Sequence, residues 1–362
     1  MYQTTRTLTL MLLALLVPTA WVMAQHSVVV ATMYNGVVTP DKAVATAGET
    51  ITLKVQPYRG FALREGTLVV EMKASTEESD HATYMSKRAV GLGAYVSVTQ
   101  TADATYTFTM PDRDVAVKAS FDAVESTIVI SETTTTISSG AFMGQTKVTD
   151  IELPDTDEPI EIEPGAFTID NETGDSHHVL NIHTPLHLLD DYALMAALSE
   201  NYEAGKISAT ATAPHQYWSF ACGVDVALPE GVKLYIVRGA SITQVEIVEV
   251  EDAKVIKANN GVLLACPDDN GNAYEMVARV SADRPSGMRP ITGNARSYEG
   301  NLLEPVIKGK HYNSNNGYYI LSRNQFHRIK QEGNDVLLPA CKAVLYLPGQ
   351  PAKSRSLKIA KR

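Results

Sequence analysis

The chain has 362 residues, of which 44% are hydrophobic and 20% charged, a composition typical of folded globular proteins and unlike that of disordered ones. Its net charge of −10 argues against an extended nucleic-acid surface, because such a surface needs clustered lysine and arginine to displace phosphate counterions. The length predicts two or three domains.

The first 24 residues have the pattern of a cleaved secretory signal peptide. An early arginine precedes an apolar run over residues 8–17, and Ala24 supplies a small side chain before the expected cleavage site. A short membrane anchor is the alternative, but Pro18 ends the apolar run early. We therefore expect export, cleavage after Ala24, and a mature chain that begins at Gln25 without a transmembrane segment.

Residues 25–123 are expected to form a small β-domain. Alternating, β-branched runs such as ETITLKVQP and DVAVKASF are separated by turn residues. The alternation in the closing run predicts that Phe108, Met110, Val117 and Phe121 are buried. The pieces VTPDKAVATAGETITLKVQPYRGFAL and YTFTMPDRDVAVKASF together resemble the divergent internalin B-repeat-like module of bacterial surface proteins.

Residues 124–200 contain a repeated motif. Gly-Ala-Phe occurs at 140–142 and again at 165–167, each time after Ile-x-x, and a degenerate third unit follows. A period of 20–29 residues with leucine and isoleucine at strand spacing is the signature of a leucine-rich repeat. This form resembles the BspA-like repeats of bacteroidete surface antigens. The resemblance implies that four side chains pack between coils: Ala141, Phe142, Ala166 and Phe167.

Residues 201–362 return to strand-like runs joined by Asn-Gly turns. The segments VALPEGVKLYIV, ANNGVLLAC, YYILS and LPACKAVLYLP resemble the C-terminal β-domain that follows such repeats in exported Bacteroidales proteins. We therefore expect a mainly β protein with a small N-terminal β-domain, a short leucine-rich-repeat solenoid and a C-terminal antiparallel β-sandwich or barrel-like domain.

Three cysteines, Cys222, Cys266 and Cys341, lie in apolar, strand-like surroundings. The favoured interpretation is that they are small buried hydrophobic residues. A disulfide between two of them stays open, because an exported protein can meet an oxidising compartment. No C-x-x-C spacing occurs, so the sequence does not indicate a structural zinc site.

Four histidines fall close together in the sequence: His177, His178, His183 and His187. Imidazole is a common ligand of zinc and copper, which makes these residues weak candidates for a metal site. No H-E-x-x-H pattern accompanies them, and adventitious surface histidines are the favoured interpretation. We expect no cofactor.

The stretch 149–175 is rich in acids and contains no lysine and no arginine. Carboxylates in this density could bind calcium, meet a basic partner, or form a solvated face. The candidate binding face consists of Asp150, Glu152, Asp155, Asp157, Glu158, Glu161 and Glu163.

Motifs for catalysis are missing from the sequence: it contains no G-x-S-x-G elbow, no P-loop and no Rossmann glycine pattern. We expect a binding protein of the cell envelope, adhesin-like and not an enzyme, whose repeat surface contacts a protein or glycan partner. A periplasmic or envelope scaffold without an exogenous ligand is the alternative, and a metal-linked hydrolase at the histidine cluster is a third. Cell-surface and periplasmic locations both stay open.

Overall fold

A computed structural model describes residues 24–73, 95–169, 180–195, 198, 206–267, 271–279, 298–312, 317–329, 336–348 and 356–361. The expected mainly β fold is confirmed. The chain forms two compact units, residues 1–122 and 123–362. Residues 1–23 of the expected signal peptide lie outside the described residues. None of the helices in the described part of the chain combines the length and apolarity that a bilayer span requires.

The first unit is built from short strands on both sides of residues 74–94. These strands are β1 (Gln25–Val30), β2 (Gly36–Pro40), β3 (Val44–Thr46), β4 (Thr50–Pro57), β5 (Phe61–Leu63), β6 (Val69–Met72), β7 (Tyr95–Val96), β8 (Thr99–Ala102), β9 (Thr105–Thr109), β10 (Val115–Lys118) and β11 (Phe121–Ala123). They make a five-stranded sheet in the order β3-β1-β10-β6-β7, a four-stranded sheet in the order β2-β4-β9-β8, and the pair β11-β5.

Alternate side chains of these strands form the core of the first unit. Phe108, Met110, Val117 and Phe121 are all at most 3% exposed, as the closing sequence run predicts. The ring of Phe121 lies directly against Gly36, where an added Cβ would be only 2.6 Å from the ring carbons. Glycine is therefore required at the start of β2 because no side chain fits between backbone and ring.

The second unit has twenty strands in its described residues and one short helix. The strands are β12 (Thr127–Val129), β13 (Thr136–Ile137), β14 (Asp150–Glu152), β15 (Glu161–Ile162), β16 (Asn181–Thr184), β17 (Ile207–Thr212), β18 (Tyr217–Phe220), β19 (Val226–Ala227), β20 (Lys233–Ala240), β21 (Gln244–Glu249), β22 (Val255–Ile256), β23 (Val262–Ala265), β24 (Ala273–Val277), β25 (Leu303–Val306), β26 (Lys310–Tyr312), β27 (Tyr318–Ser322), β28 (Gln325–Arg328), β29 (Val336–Leu338), β30 (Lys342–Tyr346) and β31 (Ser356–Lys361). A 3₁₀ turn (Leu186–Leu188) leads into the helix α1 (Leu189–Leu194).

The strands β12, β14, β16 and β17 run parallel in one sheet, which we call the ladder. Their register places Ile128 beside Ile151, Ile151 beside Ile182, and Ile182 beside Ile207. These four side chains are at most 4% exposed, so one isoleucine from each strand fills the interior behind the sheet. Strand β13 follows β12 and strand β15 follows β14 in the chain. These two strands form a second parallel pair, in a separate two-stranded sheet.

The ladder extends beyond residue 200, because its last strand, β17, begins at Ile207. Strand β17 adds to it in parallel, and β24 then pairs with β17 in antiparallel orientation. A parallel ladder and antiparallel strands therefore share one sheet inside the unit formed by residues 123–362.

A nine-stranded sheet occupies the rest of this unit, in the order β18-β23-β20-β21-β31-β28-β27-β30-β25. Strand β18 at one end approaches β27 and β30 near the other end, so the sheet is nearly closed. Its pairs are antiparallel except β21-β31, which are parallel. About a hundred residues separate these two strands, which leaves room for the crossover connection that a parallel pair requires. Buried aliphatic and aromatic side chains fill the interior, among them Val237, Ile247, Leu263, Phe326 and Leu357.

Candidate binding face

The outward side chains of the ladder form a row of polar groups across neighbouring strands. The register brings Glu152 of β14 beside His183 of β16, and His183 beside Ser208 of β17. Because side chains of a strand alternate between its two faces, these residues point away from the buried isoleucines. The sequence predicts a contact surface in this region, and the ladder shows which side chains share its outer face.

An open groove of ≈ 350 Å³ lies where β14 and β16 end. It is lined by Glu152, Leu153, Asp155, His183, Thr184, Pro185 and Thr210. Glu152 makes no side-chain hydrogen bond or ion pair with the described residues, whereas Asp155 lies 3.7 Å from the Nδ1 atom of His187. The groove therefore combines an available carboxylate with threonine hydroxyls and an apolar wall.

His183 links three ladder strands through its two ring nitrogens. Its Nε2 lies 2.9 Å from Asp150 Oδ1, and its Nδ1 lies 3.3 Å from Ser208 Oγ. The hydroxyl of Ser208 also hydrogen bonds to the carboxylate of Glu275, which is 2.6 Å from the Nζ atom of Lys206. A continuous chain of hydrogen bonds thus crosses the sheet from β14 to β24.

Asp150, His183 and Ser208 are bonded in the order of a catalytic triad. A nucleophilic serine must reach a substrate carbonyl, but Ser208 has no exposed surface. Its hydroxyl is engaged on both sides, by His183 and by Glu275. These contacts make Ser208 a link between strands, and the arrangement offers no accessible nucleophile.

Hydrogen bonding lowers the pKa of the Asp150 carboxyl. His183 is the largest cause, Thr149 and Asn181 add hydrogen bonds, and burial opposes them. A carboxyl with a depressed pKa stabilises the fold above its unfolded pKa, and this contribution is lost as the pH falls through the folded value. Asp150 therefore supports the ladder at neutral pH and fails to do so in strong acid.

Asp150→Asn is expected to lower the free energy of unfolding by about 1 kcal/mol at pH 7, because it removes charge-assisted hydrogen bonds. The difference from the unaltered protein should close as the pH falls through the folded pKa of Asp150, since the carboxyl is then neutral in both. Urea unfolding at a series of pH values measures this gap. Glu152→Gln on the same strand is the matched control and should give a small, flat difference; an identical pH profile would contradict the assigned role.

The acids of the candidate binding face lie on two different strand pairs and in the connection between them. Asp150 and Glu152 lie on β14 of the ladder, whereas Glu161 lies on β15 and Glu163 just beyond it. The carboxylate of Glu163 accepts a hydrogen bond from the backbone N–H of Ser139, 2.8 Å away. The remaining acids, Asp155, Asp157 and Glu158, lie in the exposed connection between β14 and β15.

The two Gly-Ala-Phe motifs stack directly on one another. The rings of Phe142 and Phe167 are both 2% exposed and their centroids lie 5.4 Å apart. The backbone N–H of Phe142 donates to the carbonyl of Ala166, while Ala166 is buried and Ala141 half-buried. The glycine that begins each motif has a positive φ, 74° at Gly140 and 76° at Gly165, which explains why both copies begin with glycine.

The three cysteines are buried as free thiols. Burial raises the pKa of Cys222 to about 12 and also raises the pKa of Cys341. A thiol that stays protonated is a poor nucleophile and a poor metal ligand. Cys266 instead accepts a hydrogen bond from the indole N–H of Trp218 at 3.1 Å.

The four histidines of the sequence cluster do not form a common site in the described residues. His183 lies on β16, and His187, in the 3₁₀ turn, bonds through Nε2 to the backbone oxygen of Thr156 at 2.9 Å. His177 and His178 lie outside the described residues. In the part of the chain that the structure describes, no three His, Cys, Asp or Glu side chains are arranged to hold a metal ion.

Sequence reasoning missed several members of this face, namely Lys206, Ser208, Thr210 and Glu275. They lie far along the chain from the repeat motifs and reach the ladder only through β17 and β24. The alternation of polar and small side chains in ISATAT is a weak signal that β17 has an outer polar face.

Residues 91–125 match the family described as the divergent InlB B-repeat domain. The match covers the closing part of the predicted N-terminal module and indicates an extracellular or surface protein. No curated protein and no solved structure matches the chain. The resemblance of the middle and C-terminal parts to BspA-like repeats and a Bacteroidales domain stays a prediction.

Proposed function

We propose that the protein is an exported, adhesin-like binding protein of the bacterial cell envelope that uses the outer face of the ladder to contact a partner. The observation that carries this proposal is a row of outward polar side chains on a parallel sheet beside an open groove. Flat parallel strands present side chains at regular spacing, which suits an extended contact. The B-repeat match supports a location outside the cell or on its surface.

The ladder is proposed to be a short leucine-rich-repeat segment of the BspA-like kind. Its support is the stacking of Phe142 on Phe167 and the in-register isoleucines of successive strands. Each repeat buries its apolar face only against a neighbour, so a short stack needs partners at its ends. Strand β24, which pairs with the last ladder strand β17, gives the C-terminal end of the ladder such a partner.

A binding role is favoured over catalysis by the geometry at His183. The nearest serine, Ser208, is fully buried, and its hydroxyl also bonds to Glu275. The proposal therefore assigns His183 to the contact surface and to strand cohesion.

The experiment compares two sets of surface substitutions in the chain from Gln25 onward. Glu152→Lys with Thr210→Lys alters the outer face of the ladder, and Glu161→Lys with Thr136→Lys alters the β13-β15 pair to the same extent. Immobilised protein is incubated with extracellular matrix and with envelope extracts. We expect the ladder-face variant to lose at least about tenfold in retained partner, as for a disrupted interface centre, while the second variant retains it. Equal retention by both would contradict the role of the ladder.

Protease treatment of intact cells tests the location of the protein. Cleavage of the C-terminal part on whole cells would support a surface binding protein. Protection until the outer membrane is broken, together with purification in a single envelope complex, would favour the periplasmic scaffold. The N-terminal sequence of the purified protein should begin at Gln25 if the signal peptide is cleaved as expected.

A further inference from the structure

The groove at the ends of β14 and β16 has two chemically different sides. Glu152 and Asp155 supply carboxylates, and Thr184 and Thr210 supply hydroxyl groups. Leu153 and Pro185 supply apolar surface in the same groove. Only a small part of the Leu153 surface is exposed there, and the remainder of the residue is buried.

We propose that this groove receives the side chain of a lysine or arginine from a protein partner. The inference rests on the proposed binding function and names the chemistry of its partner. A lysine or arginine side chain has an apolar stem and a cationic head, and such side chains lay the stem on apolar surface while the head meets polar groups. The groove offers both in one place.

Glu152 is available for a new ion pair. Its carboxylate has no hydrogen bond or ion pair with the described residues, in contrast to Asp150 on the same strand, which bonds to His183, Thr149 and Asn181. Asp155 is 79% exposed and 3.7 Å from His187, so its carboxylate is also accessible. Among the described residues, a cation in the groove would therefore displace no existing partner of Glu152.

The charge around the groove favours approach of a basic segment. The described residues 123–169 and 180–195 contain eleven Asp and Glu but one Lys and no Arg. A surface with one sign of charge raises the association rate of an oppositely charged partner. Lys206, on the neighbouring strand β17, is already paired with Glu275, so its charge is largely compensated.

A neutral glycan is the other occupant to consider. Sugar rings are commonly held by stacking on Phe, Tyr or Trp, and none of these residues is among those that line the groove. Its acidic and aliphatic lining fits a cationic amino-acid side chain better.

The test uses a dye-labelled peptide of alternating lysine and glycine, and the same peptide with every lysine acetylated. Fluorescence anisotropy measures binding to the chain from Gln25 onward at low ionic strength. We expect the basic peptide to bind and the acetylated peptide to bind at least about tenfold more weakly, because acetylation removes the cation. Glu152→Gln should weaken the basic peptide about tenfold, whereas Glu158→Gln, which removes the same charge from an exposed position outside the groove, should change it less than about twofold.

Equal losses in Glu152→Gln and Glu158→Gln would overturn the inference, since binding would then follow diffuse charge only. Failure of the basic peptide to bind, or tighter binding of a neutral oligosaccharide that competes at Glu152, would also overturn it. Thermal unfolding of both variants should match the unaltered protein, which separates lost binding from lost folding. Loss of the natural partner in the ladder-face variant without any peptide binding would contradict this inference alone and leave the proposed function standing.

Discussion

Replacing Phe142 by alanine should lower the free energy of unfolding of the second unit by about 3–5 kcal/mol. The ring is 2% exposed and packs against Phe167 at a centroid distance of 5.4 Å. The cavity cannot collapse easily, because backbone hydrogen bonds hold the two coils together at Gly140–Gly165 and at Phe142–Ala166. The loss therefore includes both the buried apolar surface and the cavity that remains.

Denaturant unfolding followed by the fluorescence of Trp218 measures this effect. Trp218 is the single tryptophan after residue 24, and it is buried in strand β18, outside the Gly-Ala-Phe repeats. Met143→Ala, at a position 43% exposed, is the control and should change stability by less than about 0.5 kcal/mol. Phe142→Ala and Phe167→Ala together should cost less than the sum of the single changes, because the two rings share one contact.

The same measurement tests whether the repeats unfold together with the nine-stranded sheet. A Trp218 transition that moves with Phe142→Ala would mean that residues 123–362 unfold cooperatively. A Trp218 transition that does not move, while hydrogen exchange in the ladder speeds up, would contradict the expected loss for the whole unit. Such a result would instead support the prediction from sequence that the repeats of residues 124–200 form a separate domain.

Local patterns predicted the strands well because burial alternates with sequence position. Phe108 and Met110 illustrate this, since each occupies an inward position of a run that alternates in sequence. The Gly-Ala-Phe repeat likewise predicts stacked coils, and the ring of Phe142 packs on that of Phe167. Gln145, three residues after Phe142, is buried and accepts a hydrogen bond from the backbone N–H of Ala123 at 2.7 Å.

Contacts between distant segments were beyond sequence reasoning. The pairing of β17 with β24 depends on strands that approach each other only in the folded unit, and no local residue pattern specifies that register. The placement of the acidic run also depends on the fold. Its members are consecutive in sequence, but the coil turns between β14 and β15, so Glu152 and Glu161 lie on different strand pairs.

The ion pair between Asp190 and Lys308 is another feature that only the fold reveals. Asp190, in α1, is 5% exposed, and its Oδ1 lies 3.3 Å from the Nζ atom of Lys308. Lys308 also pairs with Asp191. The carboxylate of Asp190 lies against Gly223, where an added Cβ would be 2.6 Å from Oδ2, so the helix is held tightly against the segment after β18.

Lys308→Met is expected to destabilise the second unit by about 2–3 kcal/mol at pH 7. Removing one partner of a buried ion pair typically costs about 3–5 kcal/mol, because it leaves an uncompensated charge. The lower figure applies here because the side chain of Lys308 is 55% exposed and water screens part of the interaction.

The loss should depend on pH in the same direction as that of Asp150→Asn, although its cause is different. Burial raises the pKa of Asp190, Asp191 adds to the rise, and Lys308 opposes it. A carboxyl whose folded pKa is raised costs stability as the pH climbs from the unfolded value through the folded one. Removing Lys308 should raise the pKa of Asp190 further, so the deficit should be small in acid, where Asp190 is protonated, and should widen toward neutral pH.

Urea unfolding of Lys308→Met from acid to neutral pH tests this expectation, and a second substitution identifies the charge responsible. Adding Asp190→Asn to Lys308→Met should recover more than half of the loss at pH 7, because a neutral amide needs no cation beside it. Lys233→Met is the matched control: it breaks an exposed pair with Glu249 and should cost less than about 1 kcal/mol at every pH. The expectation would be contradicted if Asp190→Asn gave no rescue, or if the deficit in unfolding free energy were the same in acid. The loss would then come from the packing of the lysine stem, and the ion pair of Asp190 would not be what stabilises the position of α1 in the unit.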